Sequence, residues 1–182
     1  MIIYIQDAYE NPTISYVLTD PSVVEGTTIS SFVYQKEGDF VSQAGQHSVI
    51  YQEDDTLAEG QYYLIMYNNN YASSATRPTF DWSMYEGTGS YENGTNSYYY
   101  QYLIDEDEKT YRLVKSFAVP YSSIVSNVEL LDTSSNIVVS SGMDHSFGEY
   151  DTDGNLIREF HYTAEQFAYR VFKYPAPNLS SG

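Results

Sequence analysis

Cysteine is absent from the 182-residue chain, which excludes disulfides, thiolate metal sites and cysteine nucleophiles. Basic residues are scarce: 8 Lys and Arg stand against 25 Asp and Glu, a formal net charge of −17. Phosphate backbones are bound mainly through Lys and Arg, so this balance argues against a nucleic-acid partner. An anionic membrane surface repels such a chain for the same reason. No run of about 18 apolar residues occurs, so no transmembrane helix is expected. The start, MIIYIQDAYE, has neither the basic n-region nor the apolar h-region of a secretory signal. Helical patterning is nearly missing as well; its best stretch, residues 163–167 (TAEQF), amounts to one turn. The length sets an expectation of one domain, or a piece of a larger one, able to bury roughly 70% of its unfolded surface.

Tyrosine is abundant, with 21 copies, and aromatic residues make up 16% of the chain. Aromatic and β-branched side chains fit a pleated, half-buried surface, so the composition predicts sheet. Strand signals recur throughout: IIYIQ, TISYVLT, SSFVYQ, HSVIYQ, QYYLIMYN, SYYYQYLI, TYRLVKSF, SNVELLD, NIVVSS, FGEYD, NLIREFHY and FAYRVFKY. Each is short and bounded by Gly, Asn, Asp, Ser or Pro, the pattern of an all-β sandwich, barrel or propeller.

Internal repetition separates these. VELLDTSSNIVVSSG is a strand pair, and FGEYDTDGNLIREFHY is a second pair joined by an Asp153-Gly154 turn suited to a tight hairpin. The same order occurs earlier, in VIYQEDDTLAEGQYYLIMYN followed by YYYQYLIDEDEKTYRLVKSF. IIYIQDAYENPTISYVLTD reads as an outer hairpin without its inner pair. Antiparallel units of four strands match propeller blades of ~40–45 residues, with inner strands near 48–52 and 127–131, and the chain holds about two and a half of them. Propellers close with roughly 4–8 blades, so the chain is expected to be the C-terminal part of a ring, over residues 1–182. Such a piece leaves open flanks, which predicts a homo-oligomer or contact with missing N-terminal blades of the same protein. A β-sandwich is the alternative architecture. The two units differ in one loop: GMDHS links the pairs of the second, whereas the first carries a long polar insertion over residues 69–97, with Arg77 inside it. Ordered loops of that size are often functional.

Three histidines are present. His47 lies just before an inner strand, where blades bring residues to a central channel; His145 is in the short link, and His161 alternates with Phe160 on an outer hairpin. The bland reading of each is a surface or hydrogen-bonded core histidine. The acidic clusters 53–55 and 105–108 sit at predicted turns, where charge is solvated. Residues 151–155 (DTDGN) echo a calcium loop, but the Gly comes too early and the required Glu is missing. Zinc spacings, a P-loop, GxGxxG and GxSxG are all absent, so no metal and no cofactor is expected.

The segment AGQHSVIYQEDDTLAEGQYYLIMYNNN resembles the Gln-His motif of bacterial arylsulfate sulfotransferases. VPYSSIVSNVELLDTSSNIVVSSG is similar to the Tyr-Ser segment and following hairpin of that family, GEYDTDGNLIREF and AYRVFKYP to its last hairpin and closing Tyr-Arg strand, and IIYIQDAYENPTISYVLTDP to the hairpin before the Gln-His blade. The resemblance spans nearly the whole chain in consistent order.

It implies a six-bladed propeller whose channel histidine attacks the sulfur of an aryl sulfate donor, holds the sulfuryl group as sulfohistidine, and passes it to a phenolic acceptor without a nucleotide donor. His47 matches that nucleophile, beside Gln46. Asn68, Ser126 and Arg77 are the matching candidates for substrate oxygens; Val125 stands where some relatives carry a threonine. Further histidines and an arginine of the family's site come from earlier blades, so this chain alone is expected to be inactive. A periplasmic, cell-envelope or extracellular setting is likewise what the resemblance implies. Two rival readings stand: a non-catalytic propeller-like binding or structural module, and a carbohydrate-binding β-sandwich.

Overall fold

The computed structural model describes residues 1–74, 77–132 and 134–174. The expected domain's residues 175–182, and positions 75 and 76 of the long insertion, lie outside them.

The chain is all-β with little helix. A hairpin of β1 (Ile2–Gln6) and β2 (Thr13–Leu18) comes first. A helical turn, α1 (Pro21–Val24), and a 3-10 turn, Thr28–Phe32, lead to the short strand β3 (Gln35–Glu37). Four strands then pair consecutively and antiparallel: β4 (His47–Gln52), β5 (Gln61–Asn68), β6 (Ser97–Asp105) and β7 (Thr110–Val119). β3 joins the β7 edge in parallel, so this sheet has five strands. A second four-stranded antiparallel meander follows, made of β8 (Asn127–Leu130), β9 (Ile137–Ser141), β10 (Ser146–Tyr150) and β11 (Leu156–His161). The two strand quartets fall where the sequence repeat places them.

The first meander sits between the other two layers, and strand parity shows it. Leu64 and Met66 of β5 enter a core with Tyr16 and Leu18 of the hairpin; Ile65 and Tyr67 enter another with Val128, Ile137, Val139 and Tyr150 of the second meander. Buried on both faces, β5 has no polar side to show, which is why it reads as a near-continuous apolar run.

Tyrosine suits this stacking because its ring is apolar and its tip is polar. Tyr16, Tyr67, Tyr99, Tyr102 and Tyr111 are all less than 2% exposed, yet each hydroxyl has a partner. Tyr62 donates to Tyr16, Tyr67 to the Pro120 carbonyl, Tyr99 to Gln101, Tyr102 to Gln43 and Tyr111 to the Thr19 carbonyl.

Three local expectations are corrected. The stretch SSFVYQ becomes a 3-10 turn before the short β3. The hydroxyls of Thr27 and Ser30 bond the carbonyls of Val24 and Thr27 at 2.6 and 2.8 Å, and such local bonds compete with a sheet ladder. FAYRVFKY forms no strand over its described residues. Asn127 and Glu129 instead hold the backbone of Val171 and Lys173 with their side chains, drawing the segment across the outer face of the second meander. The stretch 163–167 contains no helical turn; the helical turns lie at Pro21–Val24, Thr28–Phe32 and Trp82–Met84.

Candidate functional site

The first strands of the two meanders start side by side. β4 begins at His47 with Ser48 at φ 55°, and β8 begins just after Val125 and Ser126 at φ 55° and 85°. Ser48 Oγ bridges the strands, donating to the Val128 carbonyl and accepting from its N–H at 3.4 Å each. The antiparallel register sets His47 opposite Tyr67, so the end of β5 arrives beside the histidine.

What arrives is Asn69. Its side chain is fully buried and makes three bonds. Nδ2 donates to the carbonyls of Ser122 and Val125 at 2.7 and 3.1 Å, and Oδ1 meets His47 Nδ1 at 2.7 Å. The left-handed backbone at Val125 is costly for a β-branched residue, and it is held there with its carbonyl on Asn69. Ser97 Oγ, also fully buried, donates to the Asn69 carbonyl and accepts from the Ser122 N–H. Ser122 Oγ accepts from the Met143 N–H, and Ser126 Oγ from the Gly142 N–H. A buried polar web thus ties the starts of both meanders to one imidazole.

The web fixes the histidine's tautomer. Nδ1 faces two oxygens, Asn69 Oδ1 and the Gly45 carbonyl at 3.2 Å. A carbonyl can only accept, so Nδ1 carries the proton and the neutral ring keeps its lone pair on Nε2. Among the described residues, Nε2 has no hydrogen-bond partner, and the side chain is half-buried rather than sealed. A half-exposed ring with one nitrogen clamped and the other bare is a nucleophile or ligand-binding arrangement.

The remaining sequence candidates divide around this point. Ser126 belongs to the web. Asn68 is buried beside it but on the opposite face of β5: its Oδ1 accepts the N–H groups of Ala44 and Asn70, and its Nδ2 is unpaired. Gln46 turns away, donating to the Met1 carbonyl at 2.6 Å. Arg77 ties the long loop to α1 by donating to the carbonyls of Ser22 and Val23, with its guanidinium over Phe80. His145 packs on Tyr162, and His161 bonds Glu159 on the surface.

Sequence reading did not single out Asn69, Ser97 or Ser122. The run Asn68-Asn69-Asn70 offers three amides. Only the period-2 rule joined to the His47–Tyr67 register selects the middle one, because residues 67 and 69 share a face.

A family model described as Arylsulfotransferase (ASST) matches residues 1–173. The chain belongs to the arylsulfotransferase family. Family membership implies arylsulfotransferase-related function, with aryl sulfates and phenols as the substrate class. No curated protein sequence matches the chain. Among the described residues no helix is long and apolar enough to cross a membrane, and no cluster of three or more His, Asp or Glu is placed to hold a metal ion.

Proposed function

We propose that this arylsulfotransferase-family chain supplies the nucleophilic histidine of a nucleotide-independent arylsulfate sulfotransferase. Nε2 of His47 attacks the sulfur of an aryl sulfate, the sulfur–oxygen bond to the ring breaks, and the phenoxide leaves. The sulfuryl group stays on nitrogen as sulfohistidine until the oxygen of a second phenol attacks sulfur, loses its proton to solvent as the nitrogen–sulfur bond breaks, and returns His47 with its lone pair. Splitting the transfer into two displacements lowers each barrier. The observation that carries the reading is the clamp on Nδ1, which sets the neutral ring's lone pair on Nε2, a nitrogen with no partner among the described residues. Asn69 also steadies the proton on Nδ1 as positive charge develops on the ring.

Charge spreads over the sulfuryl oxygens in such a transfer, by analogy with phosphoryl transfer, and calls for preorganised donors. Ser126 belongs to the web beside His47, whereas the unused donor Nδ2 of Asn68 is buried on the opposite face of β5. The two meanders and the hairpin are read as about two and a half blades of a six-bladed propeller, the other blades bringing the missing cationic groups. The outer face of β10 and β11, with stacked Phe147 and Phe160 at 4.9 Å, is a flank on which another blade would pack. One observation favours a non-catalytic binding module instead: Nη1 of Arg77 is engaged by backbone carbonyls.

The test is chemical. With the propeller completed, p-nitrophenyl sulfate should add one sulfuryl group to His47, located by peptide mass spectrometry. His47→Ala should abolish both label and transfer to phenol. Full transfer by that variant would sink the mechanism.

A further inference from the structure

The link from β7 to β8, residues 120–126, is engaged on two sides. On one side the Ser122 and Val125 carbonyls accept from Asn69 Nδ2 at 2.7 and 3.1 Å, so this link holds the amide that meets His47. On the other side it grips the long insertion. The Tyr121 hydroxyl donates to the Ser90 carbonyl at 2.5 Å, and Ser123 Oγ donates to the Tyr91 carbonyl at 2.7 Å. The Tyr121 ring lies so near Gly89 and Gly94 that a Cβ at either position would overlap it. Neither glycine has a left-handed backbone, so close approach of the ring is what requires the missing side chains.

The insertion also reaches Asn69 through the chain. Asn70 Nδ2 donates to the carbonyls of Gly87 and Asn96, and the Asn70 carbonyl accepts from the Gly89 N–H at 2.8 Å. The two ends of the insertion are thus tied together on the residue next to Asn69, and Tyr121 fastens the returning end to the link that bears Ser122.

An amide that turns its oxygen to a ring nitrogen needs acceptors elsewhere for its NH2 group. The two orientations of the Asn69 amide therefore favour opposite tautomers. With Oδ1 toward the ring the proton belongs on Nδ1; with Nδ2 toward the ring the lone pair would lie on Nδ1 and the proton on Nε2. The Ser122 and Val125 carbonyls select the first.

We propose that Tyr121 is a positioning residue for His47. Wedged against Gly89 and Gly94, it seats the long insertion and holds the Ser122 carbonyl where it fixes the Asn69 amide. The lone pair on Nε2 then depends on the loop being in place. What this means for sulfuryl transfer rests on the reading of His47 as the nucleophile. A cavity of about 360 Å³ beside the ring, bordered by Glu92, Asn93, Met143 and Asp144, gives the ring room to swing out without unfolding the chain.

The test reads the His47 ring nitrogens by NMR in the 182-residue protein. Tyr121→Ala removes the wedge, and Gly94→Ala expels it while leaving Tyr121 in the chain. Each should lower the ratio of Nδ1-protonated to Nε2-protonated ring about fivefold, the worth of one neutral hydrogen bond. Tyr121→Phe keeps the wedge and should keep the parent ratio. In a Tyr121→Ala background, Gly94→Ala should add nothing, because no ring is left to expel. Gly154→Ala, in the turn at the far end of the second meander, should lose stability without moving the ratio. A parent ratio in both Tyr121→Ala and Gly94→Ala overturns the positioning role, even if both melt lower, and so does an equal shift in Gly154→Ala. Should Tyr121→Ala fail to fold, Gly94→Ala decides alone. A shifted ratio with no sulfuryl label on His47 in the completed propeller would sink the transfer reading alone. Labelling with an unshifted ratio would sink the role of Tyr121 alone.

Discussion

Replacing Asn69 with alanine should unfold the site before it silences it. The side chain makes three bonds, to His47 Nδ1, to the Ser122 carbonyl and to the Val125 carbonyl. A neutral hydrogen bond contributes about 1 kcal/mol net, and a buried acceptor left without a donor adds about 1–3 kcal/mol. The Ser122 carbonyl keeps a bond from Ser97 Oγ at 3.3 Å, so the full penalty falls on Val125, already at φ 55°. The total is about 4–6 kcal/mol, which for a chain of this size lowers Tm by roughly 8–24 °C. Circular-dichroism melts and urea titration would read it. The tautomer gives a second readout: ring nitrogen shifts in NMR should show the proton on His47 Nδ1 in the parent. In Asn69→Ala only the Gly45 carbonyl remains as acceptor, and the two tautomers should mix. A loss below about 2 °C, or a proton on Nε2 in the parent, would refute the clamp.

Two further outcomes are expected. Gly154→Ala should lose about 2–3 kcal/mol: the residue sits at φ 85°, and an added Cβ would lie 2.6 Å from Phe117 Cδ1, so a melt like the parent's would contradict the packing of this turn on β7. Glu149 has its carboxyl lowered from the ordinary 4.5 by the Lys173 and Asn136 hydrogen bonds, with Arg158 adding charge. Because the folded state holds the proton less tightly, the contribution is complete above pH 4.5 and disappears as pH falls through the lower folded value. Glu149→Gln should flatten that acid limb in pH-dependent melts; an unchanged limb would reject the assignment.

Much of the architecture was legible in the chain because strand signals are local. Ten of the observed strands coincide with short Tyr-, Val- and Ile-rich runs between turn residues, and the order strand pair, turn, strand pair foretold both meanders. The position of His47 at the head of β4 was legible too. The segments that failed, SSFVYQ and FAYRVFKY, have strand composition, but their backbones are taken by other partners. Ser and Thr hydroxyls capture the first, and Asn127 and Glu129 the second. Composition cannot show which polar group a backbone will meet.

The sequence by itself determined an acidic, cysteine-free, all-β chain with two repeated quartets and a histidine at the head of one. Alternation along a strand and turn chemistry need only neighbours, so these follow without a fold. Tertiary structure decided which amide meets that histidine, which nitrogen keeps the lone pair, and that the long loop seats on Tyr121. Each of those depends on register between strands and on carbonyls brought together from residues far apart: 47 with 69, 69 with 122 and 125. A single strand carries no record of its partner's register, and so the chemistry of the site appears only when the sheets are stacked.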